Sequence, residues 1–169
     1  MTATQEFRDA VEGLLRGDFS RSEPLFEGEP CPILAWAEQG AFDGEPAALA
    51  EALSCACFLG RTAVAASLLD RGVDPLSGAA TGLNAFHWAA NRGQLDVVRL
   101  LIRRNVPLEV KNMYGGTVLG TAVWSAVYEP RPDHDAIIDA LIAAGARRDA
   151  IGHPSGDPRA DEVLRRHGG

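Results

Sequence analysis

The chain repeats itself at a fixed spacing, and this constrains its fold more than any other feature. "ALSCACFLG" (52–60) aligns with "AFHWAANRG" (85–93), and "SLLDRGVDP" (67–75) aligns with "LLIRRNVPL" (100–108) at the same offset. A third copy opens with "GGTVLGTAVWS" (115–125), which follows "GLNAFHWAANR" (82–92) at that offset again. Its second half, "HDAIIDALIAAGA" (134–146), matches "QLDVVRLLIRRNV" (94–106) but comes later than the register asks, which leaves a seven-residue insertion at 126–132. A unit this short cannot bury its own apolar face, so copies in register must stack and share a core.

The pattern within each copy is helical. Val97, Val98, Leu101 and Ile102 recur at the spacing of a helix buried on one side. The small pairs Ala56-Cys57, Ala89-Ala90 and Ala122-Val123 suit close contacts between the first helices of neighbouring copies. Gly72, Asn105 and Gly145 stand where a helix closes in the left-handed conformation, which a Cβ disfavours. Asn84 and Thr117 stand at N-cap positions. These features predict helices over about 52–59, 62–71, 85–92, 95–104, 118–126 and 134–144.

A turn, a helix, a small-residue break and a second helix, repeated every ~33 residues, resemble the ankyrin repeat. Gly82-Leu83-Asn84-Ala85-Phe86-His87-Trp88-Ala89-Ala90 is similar to the family's G-x-T-P-L-H-x-A-A, with Asn for Thr, Ala for Pro and Phe for Leu. Gly93, Val97-Val98 and Leu100-Leu101 continue that copy, with Asn105 where glycine is usual. Gly115-Gly116-Thr117-Val118-Leu119 opens the third copy and Gly145-Ala146 closes it. The resemblance implies an all-α ankyrin-repeat solenoid of stacked helix-turn-helix units with terminal caps. Three repeats are expected at 46–78, 79–111 and 112–150, the last holding the insertion 126–132.

The flanks read as caps. Residues 1–45 are a diverged helical region: Thr2 and Gln5 can form a capping box, and Phe7, Val11, Leu14 and Leu15 give an amphipathic helix. "CPILAWAEQGAFD" (31–43) resembles the second helix of a degenerate repeat closed by Gly40, while 17–30 shows no assignable pattern. In 151–169, Asp157 and Pro158 form a strong helix start, and Arg159, Asp161, Arg165 and Arg166 are expected to face outward.

Catalysis finds little support. His87 falls on the family's conserved histidine, which the resemblance implies is structural, and no nucleophile stands at triad-like spacing from it. Asp133-His134-Asp135 reads either as metal ligands or as a helix start, where carboxylates offset the positive end of the helix dipole. His153 and His167 have no partner readable in the sequence. Cys55 and Cys57 point about 200 degrees apart on a helix and cannot share a metal ion; Cys57 falls at a core position, and Cys31 is unassigned. No phosphate loop, dinucleotide fingerprint or nucleophile elbow is present. No catalytic residue, cofactor or metal is therefore expected.

The resemblance instead implies a protein partner, held by the finger loops and by the inner-helix positions after the small pair. Those positions are Phe58, Leu59, Asn91, Arg92, Trp124 and Ser125; the loop tips are Ala80, Thr81, Leu83, Met113, Tyr114 and Gly116. Tyr128 lies in the insertion with Glu129 and Arg131, between the small pair and Pro132. Tryptophan, tyrosine and arginine are common binding anchors. Packing competes with binding as their explanation: Trp124 would fold under the insertion, and Phe58 under the N-terminal segment. Trp88 is expected to pack between inner helices.

Charge narrows the partner. The formal net charge is −7; residues 1–60 hold eleven acidic residues against three arginines, a balance of −8. An acidic chain without a basic stripe argues against nucleic acid. The apolar runs are too short to span a bilayer, and "MTATQEFRDAVEG" lacks the basic and apolar regions of a secretory leader. An odd cysteine count without metal spacing suits reduced thiols in a cytoplasm. The reading is a monomeric, non-catalytic protein-binding module in the cytoplasm. A small-molecule or metal-responsive sensor is the alternative, and would need a pocket or converging ligands.

Overall fold

The computed structural model describes residues 3–151 and 157–168. The expected Thr2 cap and His153 lie outside them. The chain divides into two compact units, Met1–Ala85 and Phe86–Gly169. Every regular element among the described residues is helical, so the fold class is the all-α one expected.

The first unit holds α1 (Ala3–Arg16), a 3-10 segment (Phe19–Phe26), α2 (Pro32–Glu38), α3 (Pro46–Leu59) and α4 (Thr62–Asp70). α1 buries Ala10 and Leu14, and Phe7 meets Trp36 and Phe42 edge to face at 5.4 and 5.0 Å. Gly40 closes the turn after α2 at φ +75°, as the degenerate-repeat reading requires. The unplaced stretch 17–30 is mostly the 3-10 segment, which buries Phe19, Ser22 and Phe26. α3 is the centre of the unit: it packs against α1, α4 and the 3-10 segment, and buries every residue from Ala50 to Cys57.

One expectation fails here. α3 was expected from about residue 52 but begins at Pro46 and runs 14 residues, against 7 for α5 and 11 for α7. In the repeat register, residues 46–51 occupy the places of the loops 79–84 and 112–117. The first copy thus has no finger loop there. "PAALAE" contains no glycine or asparagine to turn the chain, and proline at the first helical position starts a helix instead.

The second unit holds α5 (Ala85–Asn91, whose first residue closes the other unit), α6 (Leu95–Arg103), α7 (Val118–Tyr128), α8 (His134–Ala143), a 3-10 turn (Arg148–Ala150) and α9 (Pro158–Arg166). α7 packs against α8 and α9, and α6 against α8. Phe86, Ala89, Ala90, Val98, Leu101, Leu119, Ala122, Val123, Ile137, Ile138 and Leu141 are fully buried and form its core. Thr117 caps α7, its hydroxyl accepting from the Gly120 amide at 3.1 Å. Asn105 takes φ +56°, the left-handed closing role expected of it. Asp157 caps α9, which buries Ala160 and Val163 and exposes Arg159, Asp161, Arg165 and Arg166.

Candidate protein-binding surface

Asn112 builds the tip of the third repeat's finger. Its Oδ1 accepts from the Tyr114 amide at 2.9 Å and the Gly116 amide at 3.0 Å, while its Nδ2 donates to Thr121 Oγ1 at 3.1 Å. Its own amide donates to the Gly116 carbonyl at 2.8 Å. Gly115 turns the chain at φ +81°, a conformation that favours glycine. With its backbone closed on itself, the loop has one direction left for Met113 and Tyr114. They are 65% and 67% exposed, the most exposed large apolar side chains among the described residues. Asn112 was missed in the sequence; its signal is the Asn-x-x-Gly turn, Asn112 to Gly115.

The inner-helix positions behave differently. Leu83, Asn91 and Ser125, expected at the partner surface, are buried at 8%, 9% and 0% exposure. Asn91 Nδ2 donates to Ser125 Oγ at 3.0 Å, so this pair is a buried polar bridge between α5 and α7. Leu83 directly precedes Asn84, which is buried as well. Gly116 is buried as well, while Ala80 is exposed. Phe58 and Leu59 are half-buried, and Phe58 meets Phe19 edge to face at 5.6 Å, the covered arrangement weighed above. Arg92 is half-buried.

Trp124 lies beneath Tyr128, with ring centroids 5.2 Å apart. Three residues of the insertion, Ala126 to Tyr128, are the last turn of α7, so the two rings stand at i and i+4 on one helix face. The Tyr128 hydroxyl donates to the Asp157 carboxylate, and the Arg159 guanidinium covers the ring at 4.6 Å while donating to the hydroxyl oxygen at 2.6 Å. The hydrogen bond to Asp157 raises the phenol's pKa, and the same bond, joined by the Arg159 amide, lowers the carboxyl's. At the other end of α9, His167 sets one ring nitrogen 2.6 Å from Asp139 and the other 3.0 Å from Asp135, both on α8. α9 is therefore tied to the third repeat at both ends.

The histidines of the repeats are enclosed by backbone. His87 is 1% exposed, its Nε2 lying 2.8 Å from the Val110 carbonyl. Burial lowers its pKa against the opposing pull of the Val110 and Gly116 backbone. His134 is 2% exposed, and its ring nitrogens meet main-chain groups of Ala90, Asn91 and Arg131. Cys31, Cys55 and Cys57 are free and buried, and burial pushes the Cys55 and Cys57 thiols up, away from the reactive thiolate. Among the described residues no group of three His, Cys, Asp or Glu side chains is placed to hold a metal ion, and no helix is long and apolar enough to cross a membrane.

The first unit also carries an open groove of about 450 Å³. Its walls are the first turn of α3, from Pro46 to Ala50, and the strand of chain from Arg71 to Ser77.

The family model for ankyrin repeats, in three copies, matches residues 53–150, more than half of the 169-residue chain. The chain belongs to the ankyrin repeat family. Comparison with curated proteins finds no match. Ankyrin repeats mediate protein–protein interaction and are typically non-catalytic.

Proposed function

We propose that this ankyrin-repeat protein is a monomeric, non-catalytic module of the cytoplasm that binds another protein through the third repeat's finger. Met113 and Tyr114 are its anchors. The observation that carries the reading is the pairing of their exposure with the closed Asn112 loop beneath them. An apolar tip held in one conformation loses little entropy on docking, which is what makes a rigid anchor effective. Arg92, Trp124 and Tyr128, half-buried to exposed, supply flanking contact. The net charge of −7 disfavours nucleic acid as the partner, and the three buried free thiols suit a reducing compartment.

The test is a paired capture from lysate with the parent protein and the double variant Met113→Ala/Tyr114→Ala, quantified by mass spectrometry. A partner retained by the parent and lost by an equally stable variant supports the reading, with a cost on the order of 2 kcal/mol or more in a direct titration. Identical capture by the two proteins overturns the finger as the site.

A further inference from the structure

Glu51 is a carboxylic acid in the core of the first unit. It lies in α3 at 2% exposure. Oε1 accepts from the Ala80 amide at 2.8 Å, and Oε2 is buried with no hydrogen-bond partner. The repeat register says how it came to be there. Glu51 stands at the position held in the following copies by Asn84 and by Thr117, the N-cap of α7. Since α3 starts at Pro46, position 51 is no longer a cap but the middle of a helix. Its side chain reaches across to the next finger loop instead.

That loop is held against α3 at neighbouring points. Ser54 Oγ donates to the Gly78 carbonyl at 2.5 Å. A Cβ at Gly78 would stand 2.3 Å from the Ala50 carbonyl oxygen, so the backbones are in direct contact. A Cβ at Gly17 would stand 2.5 Å from Thr81 Cγ2, so the end of α1 presses on the same loop. Ser54 and Glu51, both on α3, thus hold this loop at Gly78 and Ala80.

We propose that Glu51 is a proton-gated latch on the finger loop 79–82, closed when its carboxyl is protonated and loosened when the carboxyl is charged. A protonated carboxyl still accepts from the Ala80 amide through its carbonyl oxygen. A charged one leaves a buried anion with a single donor, and the nearest relief is to open the loop and admit water to Oε2. Among the described residues no charged group acts on the carboxyl to offset its charge. The buried faces of α1 and α4 are apolar: Ala10 and Leu14, and Val64, Ala65 and Leu68. The 3-10 segment brings Glu23, which is paired with Arg61 at 3.0 Å and acts with Glu51 on the Cys55 thiol one turn along α3. The loop side offers the Ala80 amide, and burial outweighs it in raising the Glu51 pKa. The folded value lies above the unfolded one. Stability is therefore lost as pH rises from the ordinary carboxyl range through the folded pKa, and the lost part is the closed loop. The latch is independent of the partner-binding reading.

The full-length protein is compared with Glu51→Gln and Glu51→Ala from acid to alkaline pH, with no partner added. Glutamine keeps the acceptor for Ala80 and removes the charge. The melting temperature of Glu51→Gln is expected to rise relative to the parent as pH increases. The exchange protection factor of the Ala80 amide in the parent is expected to fall about tenfold for each pKa unit by which burial raises the carboxyl, and to stay level in the glutamine variant. Loss of Ala80 protection at every pH in Glu51→Ala places the latch in that side chain; if this variant does not fold, the glutamine comparison decides alone. A melting difference that is flat across pH, or Ala80 protection in the parent that does not change, overturns the proposal.

Discussion

The His134 imidazole receives the Arg131 amide on Nδ1 at 2.9 Å, and this fixes its proton on Nε2. Nε2–H then points at the carbonyls of Ala90 and Asn91, at 3.0 and 3.2 Å. One neutral ring thereby joins the end of the third repeat's insertion to the last turn of α5. The neighbouring geometry is tight: a Cβ on Gly93 would stand 3.0 Å from Arg131 Cβ. The Asp133-His134-Asp135 triplet reads as a metal motif or a helix start from sequence; it starts α8, and its ring is a backbone staple as well.

Acid should open this staple. A second proton has to sit on Nδ1, against the Arg131 amide, and burial already lowers the His134 pKa, with the Arg131 charge adding to it. The unfolded chain binds that proton more readily than the folded one, so stability falls as pH drops below about 6.5 and levels off at the folded pKa. His87, lowered by burial, contributes in the same direction. Thermal melts between about pH 7.5 and 5.5 should show the parent losing more stability than His134→Gln, which has no proton to take up there. Equal losses would mean that His134 is not neutral in the fold.

Ala89 is completely buried on α5 in the small-residue pair of its repeat. Ala89→Leu adds three carbons where the neighbours leave no space, and should destabilise by roughly 1–3 kcal/mol in denaturant titration. The size of the effect measures how closely α5 is packed.

Two glycines separate sterics from backbone strain. A Cβ at Gly78 would meet the Ala50 carbonyl carbon at 2.7 Å, whereas at Gly72 it would meet nothing within 4 Å. Gly72 instead sits at φ +84°. Gly72→Ala should cost about 1–2 kcal/mol, the left-handed penalty, with the structure unchanged. Gly78→Ala should cost a similar or larger amount and also displace the 74–83 loop, visible as amide shift changes that Gly72→Ala lacks. Equal, local shifts in both variants would contradict the close contact at Gly78.

Much of this architecture was legible because repeats advertise themselves. The helices at 85–91, 95–103 and 134–143 fall within a residue or so of the expected 85–92, 95–104 and 134–144, since glycine and small-residue pairs punctuate them. The start of α3 was not legible by register, because alignment assumes that each copy turns at the same place. "PAALAE" keeps the spacing but has neither the glycine nor the asparagine of the later loops. Exposure was less legible still. Asn91 and Ser125 look like surface residues in a one-dimensional pattern, but a hydrogen bond between side chains 34 positions apart buries both. Tyr128 was placed in a loop, and helix α7 runs through it to its last turn. Its partners Asp157 and Arg159 carried no signal, since a capping aspartate and a surface arginine need no distant tyrosine to explain them.

Tyr114 and Trp124, paired in the sequence as candidate anchors of one repeat, should now separate. Tyr114 is 67% exposed, and its backbone conformation is set by Asn112 rather than by its ring. Tyr114→Ala should therefore change folding stability by less than about 0.5 kcal/mol, the usual range for surface substitutions. Trp124 is half-buried with its ring against Tyr128, which in turn holds Asp157 and Arg159 at the start of α9. Trp124→Ala removes the base of that stack and should cost roughly 1–3 kcal/mol, below the value for a fully buried tryptophan. At about 2–4 °C per kcal/mol for a chain of this size, the difference between the two variants is resolvable in a thermal melt. In a binding titration the order should reverse, with Tyr114→Ala losing more affinity than stability and Trp124→Ala losing more stability than affinity. If Trp124→Ala melts like the parent and abolishes binding, the stack on Tyr128 is not what holds the ring, and the anchor is the helix face rather than the finger.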